Sequence, residues 1–127
     1  MRILVADDNR DITDSFSILF EVLGHEVQTA YNGLEACQKA VTFRPEAALL
    51  DIRMPGKHGY DVALFLRSLD SVLPGRLIGM TGEGGPEAKA RALASGFSHL
   101  VIKPASFETI LELLNAPDGK ERSGSIE

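Results

Sequence analysis

The sequence predicts an α/β domain of five strand–helix units around a parallel sheet, a (βα)5 arrangement. Three observations predict it. Short apolar runs alternate with amphipathic segments five times along the chain. The central run, Ala47–Asp51 (AALLD), is apolar without alternation, as befits a strand buried on both faces of a parallel sheet. Glycine, proline or capping residues punctuate the junctions. Strands that alternate with helices imply a parallel sheet covered by helices on both sides.

The elements follow in order. Arg2–Ala6 (RILVA) reads as the first strand. Asn9–Leu23 reads as a helix, with Ile12, Phe16, Leu19, Phe20 and Leu23 on its buried face and Arg10, Asp11, Asp14, Ser17 and Glu21 opposite. Gly24 suits the left-handed position that ends a helix. Glu26–Ala30 is the second strand. Asn32 caps the next helix, with Glu35 completing a capping box. That helix is expected to turn Leu34, Cys37 and Val41 inward and to stop before Pro45. After the third strand, a loop from Asp51 to Gly59 carries Pro55, Gly56 and Gly59. The third helix buries Val62, Phe65, Leu66 and Leu69. Leu77–Met80 is the fourth strand, and Thr81–Gly85 a glycine-rich loop. Pro86 starts an alanine-rich helix, as its missing N–H permits at a first turn; the helix runs to Ser95 and ends at Gly96. Leu100–Ile102 is the fifth strand. Ser106 caps the last helix, whose stripe is Phe107, Ile110, Leu111 and Leu114. Residues 1–115 therefore form the domain, and the polar Gly/Ser-rich segment 116–127 is expected to be a flexible tail.

Composition narrows the function. The 127 residues, 44% of them hydrophobic, suffice for one core without metal or disulfide staples. The single cysteine, Cys37, excludes an intrachain disulfide framework and reads as core packing. A net charge of −5 and the absence of Trp argue against nucleic-acid binding. No run approaches the roughly 18 apolar residues needed to span a bilayer, and no signal peptide is recognisable. The expected location is cytoplasmic, with no direct membrane partner. His25, His58 and His99 lack metal-ligand spacing.

In an open α/β sheet, ligands bind beyond the carboxyl ends of the strands. Those ends carry Asp7 and Asp8 (first strand), Asp51 (third), Met80–Thr81 (fourth) and Lys103–Pro104 (fifth). Three carboxylates, a hydroxyl and an ammonium converge on one rim. Clustered carboxylates repel one another unless a cation intervenes. Mg2+ suits this donor set, because it takes one or two carboxylates, keeps waters and leaves room for a phosphate oxygen. Asp51 is the candidate nucleophile toward phosphorus, with Lys103 and the Thr81 hydroxyl as holders of the phosphoryl oxygens. Gly82 would leave space for the phosphoryl group.

These residues lie in four motifs: ADDN at the first strand end, LLDIRMPGKHG around Asp51, MTG, and IKP. Together, in this order, they resemble the receiver domains of two-component response regulators from Met1 to Asn115. The resemblance implies a flavodoxin-like doubly wound fold of strand order 2-1-3-4-5. It implies Asp51 as phosphoacceptor from a histidine kinase or histidine phosphotransfer protein. Asp7, Asp8, Asp51 and the Arg53 backbone carbonyl would hold Mg2+, Thr81 would be the switch hydroxyl, and Lys103 would bind the phosphoryl group. A cis bond before Pro104 is also implied. One position departs from the family's pattern: Leu100 stands where Tyr or Phe often acts as a rotating switch. The resemblance implies a signalling domain rather than an enzyme with turnover, its downstream target a protein that the sequence does not identify. GFSHLVIKP and DDNRDITDS resemble receivers of hybrid histidine kinases, so the chain reads either as a stand-alone regulator or as a segment of such a kinase. A haloacid-dehalogenase-type phosphatase would need D-x-D at the first strand end, where the chain has Asp7-Asp8-Asn9. A flavin mononucleotide carrier would need a Ser/Thr/Gly-rich phosphate loop there.

Overall fold

A computed structural model describes residues 1–115. The expected tail, 116–127, lies outside the described residues. The ten elements are β1 (Arg2–Ala6), α1 (Arg10–Val22), β2 (Glu26–Ala30), α2 (Gly33–Phe43), β3 (Ala47–Asp51), α3 (Gly59–Ser68), β4 (Leu77–Thr81), α4 (Pro86–Ala94), β5 (His99–Ile102) and α5 (Phe107–Leu114). All strand pairs are parallel, in the order β2-β1-β3-β4-β5. The expected fold and strand order are thus observed. β3, at the centre, is buried along its whole length.

Alternation along the strands divides the core in two. Leu4, Ala6, Ala48, Leu50, Leu77 and Leu100 face α2, α3 and α4. Ile3, Val5, Leu49, Ile78, Met80 and Val101 face α1 and α5. Leu100 and its neighbour His99 accordingly point to opposite sides of β5.

Several helix faces differ from expectation. α1 begins at Arg10 because Asn9 is its cap: the Asn9 side chain accepts from the N–H groups of Asp11 and Ile12. Its buried residues are Thr13, Phe16 and Phe20, while Leu19 and Leu23 are exposed. In α2, Leu34 and Val41 are 55% and 53% exposed, and Gly33, Ala36, Cys37, Ala40 and Phe43 face inward. A helix lying close to the sheet seats small residues at the contact and turns bulky ones to the flank. The capping box is shifted by one residue: Asn32 Oδ1 accepts from the Glu35 N–H at 2.8 Å, but Glu35 reaches back to the N–H of Tyr31, at 2.7 Å. Tyr60, at the start of α3, is buried. The His58 ring stacks on it at 5.0 Å and the Arg91 guanidinium lies 4.4 Å from its centroid.

The loop between β3 and α3 runs between two helix starts that carry no side chain. A Cβ on Gly33 would collide with the Lys57 carbonyl, and one on Gly59 would lie 2.7 Å from the Asp51 carbonyl oxygen. Backbone bonds complete the fit: the Gly33 N–H donates to Pro55 O at 3.2 Å and the Gly59 N–H to Ile52 O at 2.9 Å. Among the described residues, no helix is long and apolar enough to cross a membrane.

Candidate phosphoacceptor site

Sheet register sets the site. Ala6 on β1 pairs with Leu50 on β3, so Asp7 and Asp51 leave adjacent strands at the same level. Asp51 in turn pairs with Met80 on β4, and Thr81 with Ile102 on β5, which places Thr81 and Lys103 next along the rim. The Lys103 N–H donates to the Thr81 carbonyl at 2.7 Å.

Carboxylate oxygens of Asp7, Asp8 and Asp51 all lie within 4.8 Å of one another. Asp7 and Asp51 are buried and Asp8 is exposed. The Lys103 ammonium stands 2.8 Å from Asp7 Oδ2 and 3.3 Å from Asp51 Oδ2. Burial, first, and then the neighbouring Asp7 push the Asp51 carboxyl up to about 6, with Lys103 and the Arg53 N–H pulling it the other way. Burial disfavours the Lys103 ammonium, but the two carboxylates together outweigh it and raise the group above its ordinary value. Burial and the neighbouring acid thus work against ionisation of Asp51, and the lysine works for it. Oxygen-only donors, one of them solvent-facing, fit a hard divalent cation such as Mg2+.

The remaining expected residues are placed as follows. The Arg53 N–H donates to Asp51 Oδ1 at 3.2 Å, and its side chain reaches across the mouth to Glu83 at 3.6 Å in a mostly exposed pair. The Thr81 hydroxyl is held by its own loop, donating to the Glu83 carbonyl at 3.0 Å and accepting from the Glu83 N–H at 3.2 Å. Gly82 has nothing within 4 Å of where its Cβ would sit, so the space beside it is open. The Lys103–Pro104 bond is cis. Leu100 is fully buried, and its Cδ1, with Ile52 and Phe97, crowds within 3.2 Å of where a Gly79 Cβ would stand. That position is core filling in this chain. A cleft of 240 Å³ adjoins the mouth, lined by Arg53, His58, Tyr60, Thr81, Glu83 and Arg91 among others.

Sequence reasoning missed Thr13, whose buried hydroxyl donates to the Asp7 carbonyl, and Gly33, which admits the loop after Asp51. The spacing 13, 16, 20 contained the first signal, since it puts a polar residue on the buried stripe. Gly33 gave no signal short of knowing which loop would cross it.

Comparison with known proteins identifies the family and the fold. The family model described as response regulator receiver domain matches residues 3–115. Response regulator MprA of Mycobacterium avium is 32% identical over 116 residues, which is 91% of this chain and 50% of that protein. The sensor kinase/phosphatase CqsS of Vibrio cholerae is also 32% identical over 116 residues, but they make up only 17% of its length. The chain thus spans about half the length, or less, of these curated relatives. Among solved structures, Vibrio cholerae chemotaxis protein CheY4 superposes with a TM-score of 0.80 at 30% identity, covering 89% of this chain and 94% of that one. A Burkholderia pseudomallei response regulator, described with a phosphorylated aspartic acid and a calcium ion, superposes with a TM-score of 0.81 at 25% identity, covering 91% of this chain and 66% of that one.

Proposed function

The chain belongs to the response regulator receiver domain family of two-component systems, and from that premise we propose that it accepts a phosphoryl group on Asp51 in a Mg2+-dependent reaction. The observation that carries the reading is the rim itself: three carboxylates within 4.8 Å, with the Lys103 ammonium against two of them. The donor would be a phosphohistidine of a histidine kinase or histidine phosphotransfer protein. An Asp51 oxygen attacks phosphorus while the bond to the donor's imidazole nitrogen breaks. With its pKa near 6, Asp51 is mostly ionised at neutral pH and ready to attack. Mg2+, held by Asp7, Asp8, Asp51 and the Arg53 carbonyl, would supply neutralisation of charge on the transferred oxygens. Lys103 would hold a second oxygen. The Thr81 hydroxyl would take the third after leaving Glu83, so the β4–α4 loop would move with phosphorylation. In this reading the signal leaves through that loop and α4 without a rotating aromatic, because Leu100 is locked in the core. The domain acts as a phosphorylation-controlled interaction module rather than a turnover enzyme.

Receivers occur both in a regulator such as MprA and in a sensor kinase/phosphatase such as CqsS. Both settings are compatible with the site, and in both the phosphoacceptor chemistry is the same. Labelling by a small acyl phosphate tests the assignment. The wild type should label only with Mg2+, and Asp51→Asn should not label at all. Undiminished labelling of Asp51→Asn would move the acceptor elsewhere.

A further inference from the structure

α1 carries a hydroxyl where its packing calls for none. Thr13 is fully buried on the same stripe as Phe16 and Phe20, and valine would fill that volume with no polar group to satisfy. Its Oγ1 lies 2.9 Å from the Asp7 carbonyl and 3.1 Å from the Asn9 carbonyl. The second contact is the ordinary back-bond of a helical threonine to the residue four before it. The first is not: it leaves the helix and reaches six residues back, to the strand end that bears the acids.

The Asp7 backbone is thereby fixed from both sides. Its N–H donates to the Ala30 carbonyl on β2 at 3.1 Å, and its C=O takes the Thr13 hydroxyl. The Asn9 N–H donates to Asp7 Oδ1 at 3.0 Å and so orients the carboxylate. Asn9 itself is held by the Thr13 N–H, which donates to the Asn9 carbonyl at 3.1 Å. The Thr13 side chain thus gathers the turn Asp7-Asp8-Asn9, and two of the three carboxylates proposed to bind the cation project from that turn.

We propose that Thr13 is a positioning residue for Mg2+ uptake, its hydroxyl holding the Asp7–Asp8 turn in the geometry that receives the ion. The inference rests on the Mg2+-dependent reading above. Groups that orient metal ligands typically contribute about 10-fold or more in metal affinity. The test is calorimetric titration of the unphosphorylated full chain with MgCl2 alone, for the wild type, Thr13→Val and Thr13→Ser. The valine variant should bind Mg2+ about 10-fold more weakly, and the serine variant should match the wild type. In labelling by a small acyl phosphate, the valine variant should need more Mg2+ yet reach the wild-type rate at saturation. Should valine prevent folding, Thr13→Ala against Thr13→Ser is read by the same criterion. A valine or alanine variant that melts earlier but binds Mg2+ like the wild type would reduce Thr13 to a packing role and overturn the proposal. A wild type that binds no Mg2+ would instead fail the underlying reading, and the proposal with it.

Discussion

Replacing Asp51 by Asn should make the metal-free protein more stable, although it removes the reactive group. Ionised Asp51 is held in the fold at a pKa of about 6 against an ordinary 3.8, mainly by burial and next by Asp7. A shift of about two units corresponds to about 3 kcal/mol of disfavour for the ionised form. Solvent at the mouth screens part of this, and asparagine gives up the contact with Lys103, so the expected gain is about 1–2 kcal/mol near neutral pH. The pH dependence is the sharper test. Because the folded state holds the Asp51 proton more tightly than the unfolded chain, the contribution of Asp51 to wild-type stability falls as pH rises from about 4 to about 6. The advantage of Asp51→Asn should therefore be near zero at about pH 4, grow through that window and level off above it. Urea unfolding followed by far-ultraviolet circular dichroism, in chelator, measures both chains at each pH. Added Mg2+ should narrow the gap by stabilising the wild type more. Equal stabilities near neutral pH, or a gap that ignores pH, would show that Asp51 carries no such penalty.

Other perturbations separate the site from its scaffold. Lys103→Met should lower metal-free stability by about 3 kcal/mol, because it strips the buried Asp7 of its cation; Mg2+ should restore part of the loss in the same unfolding assay. Gly33→Ala should destabilise by about 2 kcal/mol despite the better helix propensity of alanine, since its Cβ meets the Lys57 carbonyl. Gly82→Ala, in open space, should stay within about 0.5 kcal/mol of the wild type by thermal melting. Arg53→Ala, which breaks only the exposed pair with Glu83, should likewise change the unfolding free energy measured in urea by less than about 0.5 kcal/mol.

The site was legible because its chemistry is concentrated. Asp7, Asp8, Asp51, Thr81 and Lys103 each follow an apolar run, and strand ends in a parallel sheet share one rim, so five local readings converge on one place. Helix faces were less legible because bulk is a poor guide to contact distance. Leu34 and Val41 outrank Ala36 and Ala40 in hydrophobicity, yet the alanines let α2 approach the sheet and the larger side chains are left at the flank. Leu19 lies on the flank of α1, at the edge of an open groove it shares with Ile12, Phe16 and Phe107, and so stays largely exposed. Thr13 and Gly33 act through backbone atoms of other elements, six residues back and across a loop, and a reading of one segment at a time does not reach such partners.

The ammonium between Asp7 and Asp51 has a consequence for the order of events in the life of the chain. A buried acid pair without any cation would tie folding to the metal supply, as happens in small zinc domains that are unstructured without their ion. Here the counter-charge is covalently part of the chain, just past β5, two strands along the sheet from Asp51 and three from Asp7, and arrives whenever the sheet assembles. Assembly and loading become separate steps. The newly made domain can reach its native shape in a magnesium-poor moment, and the ion, coming later, has only to meet a turn that is already drawn.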